Sequence, residues 1–155
     1  MSEIIIRPDD PESADAVWCL EQYYALLSEA MGTPFEVSKS LDPDRNALRP
    51  PLGGFWVARL DGAAVGCCGL KGDGSETGEI KRLWVAESTR GQGLARRLMA
   101  EAEDTARTLG MTRLQLDTNR TLTAAIAMYH RLGWTEIPAF NEEPYADHWF
   151  EKQLS

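Results

Sequence analysis

The sequence predicts an α/β fold in which helices cover both faces of one mixed β-sheet. Strand-like and helix-like segments alternate in the second half of the chain, which favours parallel strands joined by crossover helices. A tight turn between two strand-like runs in the first half indicates an antiparallel hairpin. The length suits a single core, so we expect residues 1–155 to form one domain.

The first third of the chain predicts a strand, a helix and an irregular segment. Residues 3–8, EIIIRP, form a short apolar run closed by a proline, which is typical of a short strand. In residues 11–32, apolar side chains recur at three- and four-residue steps and a glycine follows, so a helix is expected. Residues 33–53 are rich in proline and polar side chains. Irregular segments of this length often form lids or binding loops.

The middle of the chain predicts three strands. Residues 54–72 contain the pair Asp61-Gly62 between two runs of strand character, which indicates a two-residue hairpin turn. A glycine-rich loop follows. Residues 79–87, EIKRLWVAE, then predict the third strand.

The last third predicts two helices and three strands. A helix is expected over 93–109, because its apolar side chains fall on one face and a glycine follows it. Residues 112–118 are typical of a strand and residues 121–133 of a second helix. The remaining residues predict two short strands around a loop at 138–146.

Composition excludes several classes of function. The net charge of −8 argues against a nucleic-acid binder, which needs a basic face. It agrees weakly with a cationic small-molecule partner, although acidic surfaces usually serve solubility. No apolar run is long enough to predict a signal peptide or a membrane span.

The cysteines and histidines predict neither disulfides nor a metal site. Cys19, Cys67 and Cys68 are odd in number and show no zinc-like spacing, so we expect buried packing residues in a reducing, cytoplasmic setting. The two histidines, His130 and His148, also lack ligand spacing. We expect His130 to face solvent, and His148 either to line an acceptor site or to be structural.

The turn Arg90-Gly91-Gln92-Gly93 joins a strand to a helix and can bind an anion. The first N–H groups of a helix have no internal partner, the helix dipole adds positive charge, and glycines allow close approach. Together these features suit a phosphate, although a plain turn fits equally well. Neither the Walker A pattern nor the dinucleotide-binding glycine pattern matches the residues that follow.

Three motifs in the right order resemble the GNAT superfamily of acetyl-CoA-dependent N-acetyltransferases. RGQGLA at 90–95 is similar to the family's phosphate-binding signature, GEIKRLWV at 78–85 to its fourth strand, and AAIAMYHRLGW at 124–134 to its tyrosine-bearing helix. The resemblance implies a mostly antiparallel sheet of six to seven strands that splays between strands four and five, flanked by about four helices.

The resemblance also implies how acetyl-CoA binds. The pantetheine arm would pair with the fourth-strand backbone at Leu83, Trp84 and Val85, as an added strand does. The pyrophosphate would lie on backbone N–H groups of Arg90, Gly91, Gln92, Gly93, Leu94 and Ala95. The acetyl carbonyl would be polarised by a fourth-strand N–H, and the amine would attack directly.

Two residues are candidates for the proton chemistry. Glu79 lies where the family often carries its glutamate base, although it could also be a strand-end residue paired with Lys81. Tyr129 lies where the family's general-acid tyrosine stands, although it could also be a core residue. Many members carry an asparagine seven residues before that tyrosine. Leu122 stands there instead, and Asn119 is our candidate for the cofactor contact, with Thr121 and Thr123 as alternatives.

The acceptor is left open. Residues 33–53 and 138–150 are expected to shape its site. The second segment mixes aromatic and acidic side chains, which would suit a small cationic amine: Phe140, Glu142, Glu143, Tyr145, Asp147 and Trp149. Arg45 and Arg49 could instead bind the carboxylate of an amino acid.

The expected function is therefore acetyl transfer to a small-molecule amine or amino acid. A non-catalytic acyl-CoA-binding module and a protein or peptide N-acetyltransferase are the alternatives. The presence of both Glu79 and Tyr129 favours an enzyme. Because dimers are common in the resembling family, a homodimer is a further expectation.

Overall fold

A computed structural model of the protein describes residues 3–36 and 45–155. This part of the chain contains seven strands and three α-helices. Their bounds, in chain order, are β1 Ile4–Pro8, α1 Ala14–Met31, β2 Gly54–Leu60, β3 Ala63–Lys71, β4 Thr77–Val85, α2 Leu94–Thr108, β5 Arg113–Thr118, α3 Thr123–Arg131, β6 Thr135–Ile137 and β7 His148–Gln153. Two 3₁₀ turns, Arg45–Leu48 and Glu87–Thr89, precede β2 and α2.

The seven strands form one sheet in the order β1-β2-β3-β4-β5-β7-β6. Every neighbouring pair is antiparallel except β4 and β5, which are parallel. The predicted mixed, mostly antiparallel sheet is confirmed, with three α-helices where about four were expected. The sequence also predicted parallel neighbours throughout the second half. This holds for β4 and β5 only, because β7 lies between β5 and β6 and is antiparallel to both.

Local signals in the sequence fix the ends of several elements. Ser13 caps α1 by accepting a hydrogen bond from the backbone N–H of Ala16 at 3.1 Å, and Gly32 ends the helix in the left-handed conformation. The β2–β3 hairpin turns at Asp61 and Gly62, which both have positive φ. This is the conformation that a two-residue turn needs to match the strand twist.

Helices pack on both faces of the sheet. On one face, α2 and α3 cover a core that includes Leu98, Leu114 and Phe150. On the other face, α1 and the first 3₁₀ turn cover a smaller core that includes Val57 and Trp84. All three cysteines are free and buried in these cores, as predicted. None of the helices in the described residues has the length and hydropathy to cross a membrane.

The sheet opens between β4 and β5. Their pairing consists of Thr77 with Arg113, Gly78 with Leu114, and Glu79 with Gln115. Both strands continue beyond this point, to Val85 and Thr118, without further pairing to each other. The expected splay between strands four and five is therefore present, and the backbone of β4 beyond Glu79 has a free edge inside the sheet.

Candidate active site

The free edge of β4 is shaped by a β-bulge. Cys67 pairs with Trp84 and Gly69 with Lys81, so two β4 residues lie opposite the single residue Cys68. One of the two, Arg82, has φ +57°, a conformation that residues other than glycine rarely adopt. The thiol of Cys67 donates a hydrogen bond to the backbone carbonyl of Arg82 at 3.0 Å. Bulges of this kind redirect a strand, and this one lies beside the opening.

The second border of the opening is the turn before α2. Gly91 and Gly93 both have positive φ, and a Cβ built on either would meet no other atom within 4 Å. No side chain caps α2, and its first helical hydrogen bond runs from the N–H of Arg97 to the carbonyl of Gly93 at 3.1 Å. The preceding N–H groups thus have no helical partner. The turn has the backbone donors and the space that a phosphate site requires.

The side chains of this turn differ in their surroundings. Leu94 is buried and fastens the start of α2 to the core, whereas Arg90 is exposed. The amide of Gln92 donates weakly to the carbonyl of Ser88, at 3.5 Å. Binding by this turn therefore rests mainly on its backbone.

Tyr129 lies on α3, buried on the face of the sheet that α2 and α3 cover. Its ring packs against Trp134 and Phe150, with centroids 6.1 and 5.6 Å apart. No residue in the described part of the chain hydrogen-bonds its hydroxyl. Burial, followed by the charges of Cys68 and Asp117, raises the pKa of Tyr129 well above its ordinary value. The phenol is therefore neutral at physiological pH and able to donate a proton.

Glu79 lies in an ion-paired group on the opposite face. The ammonium of Lys81 is 3.4 Å from Oε2 of Glu79 and 3.8 Å from Oδ2 of Asp117. The pairing with Lys81 that the sequence suggested is therefore present. Oε2 of Glu79 is buried and has no hydrogen-bond partner in the described residues. Lys81 thus bridges the opening by holding one carboxylate on β4 and one on β5.

Asn119 is buried at the end of β5. Its amide donates to the carbonyl of Tyr145 at 2.8 Å and accepts from the backbone N–H and the hydroxyl of Thr121. Leu122, where the family pattern has asparagine, precedes α3 and makes no side-chain cap. Asn119 therefore ties β5 to the segment before β7.

A pocket lies where α1 faces the opening. Its lining residues come from α1, β4, β5 and the loops beside them: Tyr23, Tyr24, Leu27, Phe35, Ile80, Lys81, Arg82, Asp117, Thr118, Asn119, Glu143 and Tyr145. Three of the rings form a continuous wall, with centroids 4.5 Å apart for Tyr24 and Phe35 and 4.4 Å for Phe35 and Tyr145. The pocket can thus bind a small molecule through aromatic and charged groups.

The structure places only part of the predicted acceptor segment in this pocket. Glu143 and Tyr145 line it, while Trp149 reaches it indirectly by donating to Oδ1 of Asn141 at 2.9 Å. Phe140, Glu142 and Asp147 are not among its lining residues. Of the other predicted segment, residues 37–44 lie outside the described residues.

The arginines and histidines considered from the sequence lie elsewhere. Arg49 pairs with Asp10 at 2.7 Å and Arg45 with Glu12 at 3.3 Å, and neither lines the pocket. His148 pairs with Glu136 at 2.7 Å. His130 is exposed, as expected. Within residues 3–36 and 45–155, no cluster of three or more His, Cys, Asp or Glu side chains could hold a metal ion.

Sequence reasoning predicted segment 33–53, which includes Phe35, and named Lys81 only as a partner of Glu79. The lining residues that it did not single out as site residues are Tyr23, Tyr24, Leu27, Ile80, Arg82, Asp117 and Thr118. The signal for Asp117 was present but indirect. It is two residues after Gln115, the last partner of β4, and therefore shares a sheet face with Glu79 and Lys81. That relation can be recognised only once the β4–β5 register is known.

Comparisons with known proteins agree with this geometry. The model of the acetyltransferase (GNAT) family matches residues 20–134. The IAA acetyltransferase of Azospirillum brasilense is 30% identical over 146 residues, covering 94% of this chain and 92% of that protein.

Two solved structures share the fold. The GNAT-family acetyltransferase of Staphylococcus aureus Mu50 has a TM-score of 0.80 at 16% identity, covering 99% of this chain and 100% of the other. The N-acetylglutamate synthase of Neisseria gonorrhoeae, complexed with coenzyme A and N-acetyl-glutamate, has a TM-score of 0.71 at 21% identity. The match covers 99% of this chain and 35% of the Neisseria chain.

Proposed function

Because the chain belongs to the GNAT family of acetyltransferases, we propose that it transfers an acetyl group from acetyl-CoA directly to a primary amine of a small molecule. One observation carries the proposal. The opening between β4 and β5 is bordered by the uncapped start of α2 and by a pocket with aromatic and acidic walls. A site for a phosphate-bearing donor thus adjoins a site for a small acceptor. Residues 1–155 then act as one catalytic domain.

The residues that border the opening fit coenzyme A. The backbone N–H groups of residues 91–95 bind the pyrophosphate, whereas the N–H of Arg90 donates to the carbonyl of Glu87 at 3.2 Å. The free β4 backbone at 83–85 pairs with the pantetheine arm. When bound, acetyl-CoA supplies the acyl group and a thiolate leaving group. The Neisseria synthase, which shares this fold over part of its length, is complexed with coenzyme A, and this supports the assignment.

Asn119 can contact the cofactor arm with one remaining donor. Its amide oxygen accepts two hydrogen bonds from Thr121, and one amide hydrogen is donated to Tyr145. An amide nitrogen carries two hydrogens, so one is left for a ligand. Asn119 borders the opening from the β5 side and can donate this remaining hydrogen to a ligand there.

Glu79 and Tyr129 divide the proton chemistry between the two faces of the sheet. Glu79 serves as the base for the incoming amine. It is not among the pocket-lining residues, and Lys81 is between it and Asp117, which favours relay through a water over direct contact. Tyr129, on the other face, donates a proton or a hydrogen bond to the departing thiolate. Its raised pKa keeps the phenol protonated for this role.

The lining of the pocket favours a small acceptor. Its wall is continuous across three rings, and it combines aromatic side chains with a few charged groups, as small-molecule sites do. The Neisseria synthase, which matches this chain over 35% of its own length, is complexed with N-acetyl-glutamate, and this supports a small acceptor here.

The test is thiol release from acetyl-CoA by the purified protein across a broad panel of primary amines. We expect one group of amines to raise thiol release well above the amine-free rate. If coenzyme A binds in calorimetry but no amine raises thiol release, the protein is an acyl-CoA-binding module. Acetylated peptides in mass spectrometry, without small-molecule turnover, would favour a protein acetyltransferase. Light scattering of the same sample tests the expected homodimer.

A further inference from the structure

The carboxylate of Asp117 lies beside the β4–β5 opening and faces the proposed acceptor pocket. It lies on β5 two residues beyond the last β4 pair, where the strands have separated. It lines the pocket, whereas Glu79 does not. Its side chain is 13% exposed, so it is largely shielded from bulk water. A charge in such a position interacts strongly with a ligand.

The carboxylate of Asp117 is held on one oxygen and free on the other. Oδ2 accepts from the amide of Asn141 at 2.8 Å and lies 3.8 Å from the ammonium of Lys81. Asn141 is itself held by the indole N–H of Trp149 at 2.9 Å and by the N–H of Glu143 at 3.2 Å. Oδ1 has no partner in the part of the chain that the structure describes. The group is thus oriented, with one strong acceptor oxygen to spare.

The other charged groups of the pocket are already engaged within the chain. Lys81 lies between Glu79 and Asp117, and both Arg82 and Glu143 have partners of their own. An acceptor carboxylate would therefore have to displace an existing pair from Lys81 or Arg82. An ammonium group can bind Oδ1 of Asp117 without displacing a partner of that oxygen in the described residues. The aromatic wall of Tyr24, Phe35 and Tyr145 adds favourable surface for the organic part of such a ligand.

We propose that Oδ1 of Asp117 binds the ammonium group of the acceptor, an inference that rests on the proposed function. This contact makes the protein selective for arylalkyl- or alkylamines without a carboxylate. Amino acids are then poor acceptors. This decides between the two acceptor classes that the sequence left open. Asp117 acts here as a binding and specificity residue.

The test compares three ligands that share one hydrocarbon body: phenethylamine, 2-phenylethanol and phenylalanine. Binding to the protein–coenzyme A complex is measured by calorimetry, and turnover by thiol release. We expect phenethylamine to bind about 10- to 100-fold more tightly than the neutral alcohol, which is the range for one charge-assisted hydrogen bond. The kcat/KM for phenethylamine should also be at least about 10-fold higher than that for phenylalanine.

The variant Asp117→Asn keeps the size of the side chain and removes its charge. It should abolish the preference for the amine over the alcohol while leaving coenzyme A affinity within about twofold of the parent protein. Asp117→Ser serves as a second variant if the first folds poorly. Glu21→Gln, an exposed residue of α1 with the same change of charge, should leave both preferences intact.

The outcomes separate this inference from the proposed function. If the parent protein binds amine and alcohol equally, or if Asp117→Asn keeps the preference, the role of Asp117 is refuted. Better use of phenylalanine than of phenethylamine, or no binding by any of a set of arylalkyl- and alkylamines, also refutes it. If the amine preference depends on Asp117 but no thiol is released, the acceptor site stands and the transferase function fails.

Discussion

The two sides of the β4–β5 opening are built from different parts of the chain. The proposed cofactor side is one short stretch, residues 90–95, in which residues 91–95 offer backbone N–H groups and glycine gives room. The proposed acceptor side consists of side chains from α1, β4, β5 and the segment before β7. Backbone binding depends little on side-chain identity, whereas the acceptor pocket depends on it entirely. Acceptor preference can therefore change by single substitutions that leave the cofactor turn untouched.

The largest effect is expected at Tyr129, the proposed proton donor. Replacing Tyr129 with Phe removes the proton donor but keeps the ring that packs against Trp134 and Phe150. We expect kcat to fall by about 10²- to 10⁴-fold, which is the usual contribution of a general acid. Affinities for coenzyme A and for the amine should stay within about twofold in calorimetry. Unchanged turnover would remove Tyr129 from the mechanism.

The cofactor side can be disrupted alone by Gly93→Asp. The new side chain brings a negative charge to the N–H groups before α2, so coenzyme A should bind roughly 10- to 100-fold more weakly in calorimetry. Gly74→Asp is the matched control, because Gly74 also has positive φ and no atom within 4 Å of a built Cβ. It should cost similar stability without loss of affinity. Equal losses in both variants would contradict a phosphate site at the turn.

The acceptor side can be weakened alone by Asn141→Ala, which removes the hydrogen bond that orients Asp117. Loss of one such bond corresponds to about 1 kcal/mol, so KM for the amine should rise by about 3- to 10-fold. Affinity for coenzyme A should not change. In an Asp117→Asn background, the effect of Asn141→Ala should largely disappear, because coupled residues are not additive. Full additivity would show that Asn141 acts independently of Asp117.

The smallest effect concerns the core that supports both sides. Burial, followed by the charge of Glu103, raises the pKa of Cys68 to about 12, so the folded thiol stays protonated where an unfolded one ionises. Its contribution to stability is complete below about pH 9 and is lost as the pH rises toward 12. When the pH is raised from 8 to 10, the unfolding free energy of the parent protein should fall by about 1 kcal/mol more than that of the Cys68→Ala variant. Parallel urea-unfolding curves for the two proteins would contradict this.

The order of elements and the conformation of the turn before α2 could be predicted from the sequence because their signals are local. The Asp61-Gly62 turn and the glycines at 91 and 93 each require a backbone conformation that the residue types themselves indicate. Glu79 and Tyr129 were found by resemblance to a family, and their roles stay predictions.

The acceptor side could not be predicted, because its parts meet only through tertiary structure. Lys81 and Asp117 approach each other across a parallel pair whose register ends at Glu79 and Gln115. The rings of Phe35 and Tyr145 pack against each other at a tilt of 39°. The hydroxyl of Tyr145 also accepts a hydrogen bond from the backbone N–H of Glu36, which is 109 residues away in the sequence. The insertion of β7 between β5 and β6 is likewise set by packing, since strand order is not encoded in local patterns.

The bulge at Arg82 has a consequence for the solubility of the chain. A strand with a free edge can pair with the same strand of another molecule, and such pairing is a common start of aggregation. Beyond Glu79, β4 carries such an edge in the middle of the sheet. The bulge interrupts the regular spacing of its N–H and C=O groups, and irregular edges are poor templates for a second strand. The same distortion therefore also makes the open edge of β4 a poor template for pairing with a second molecule.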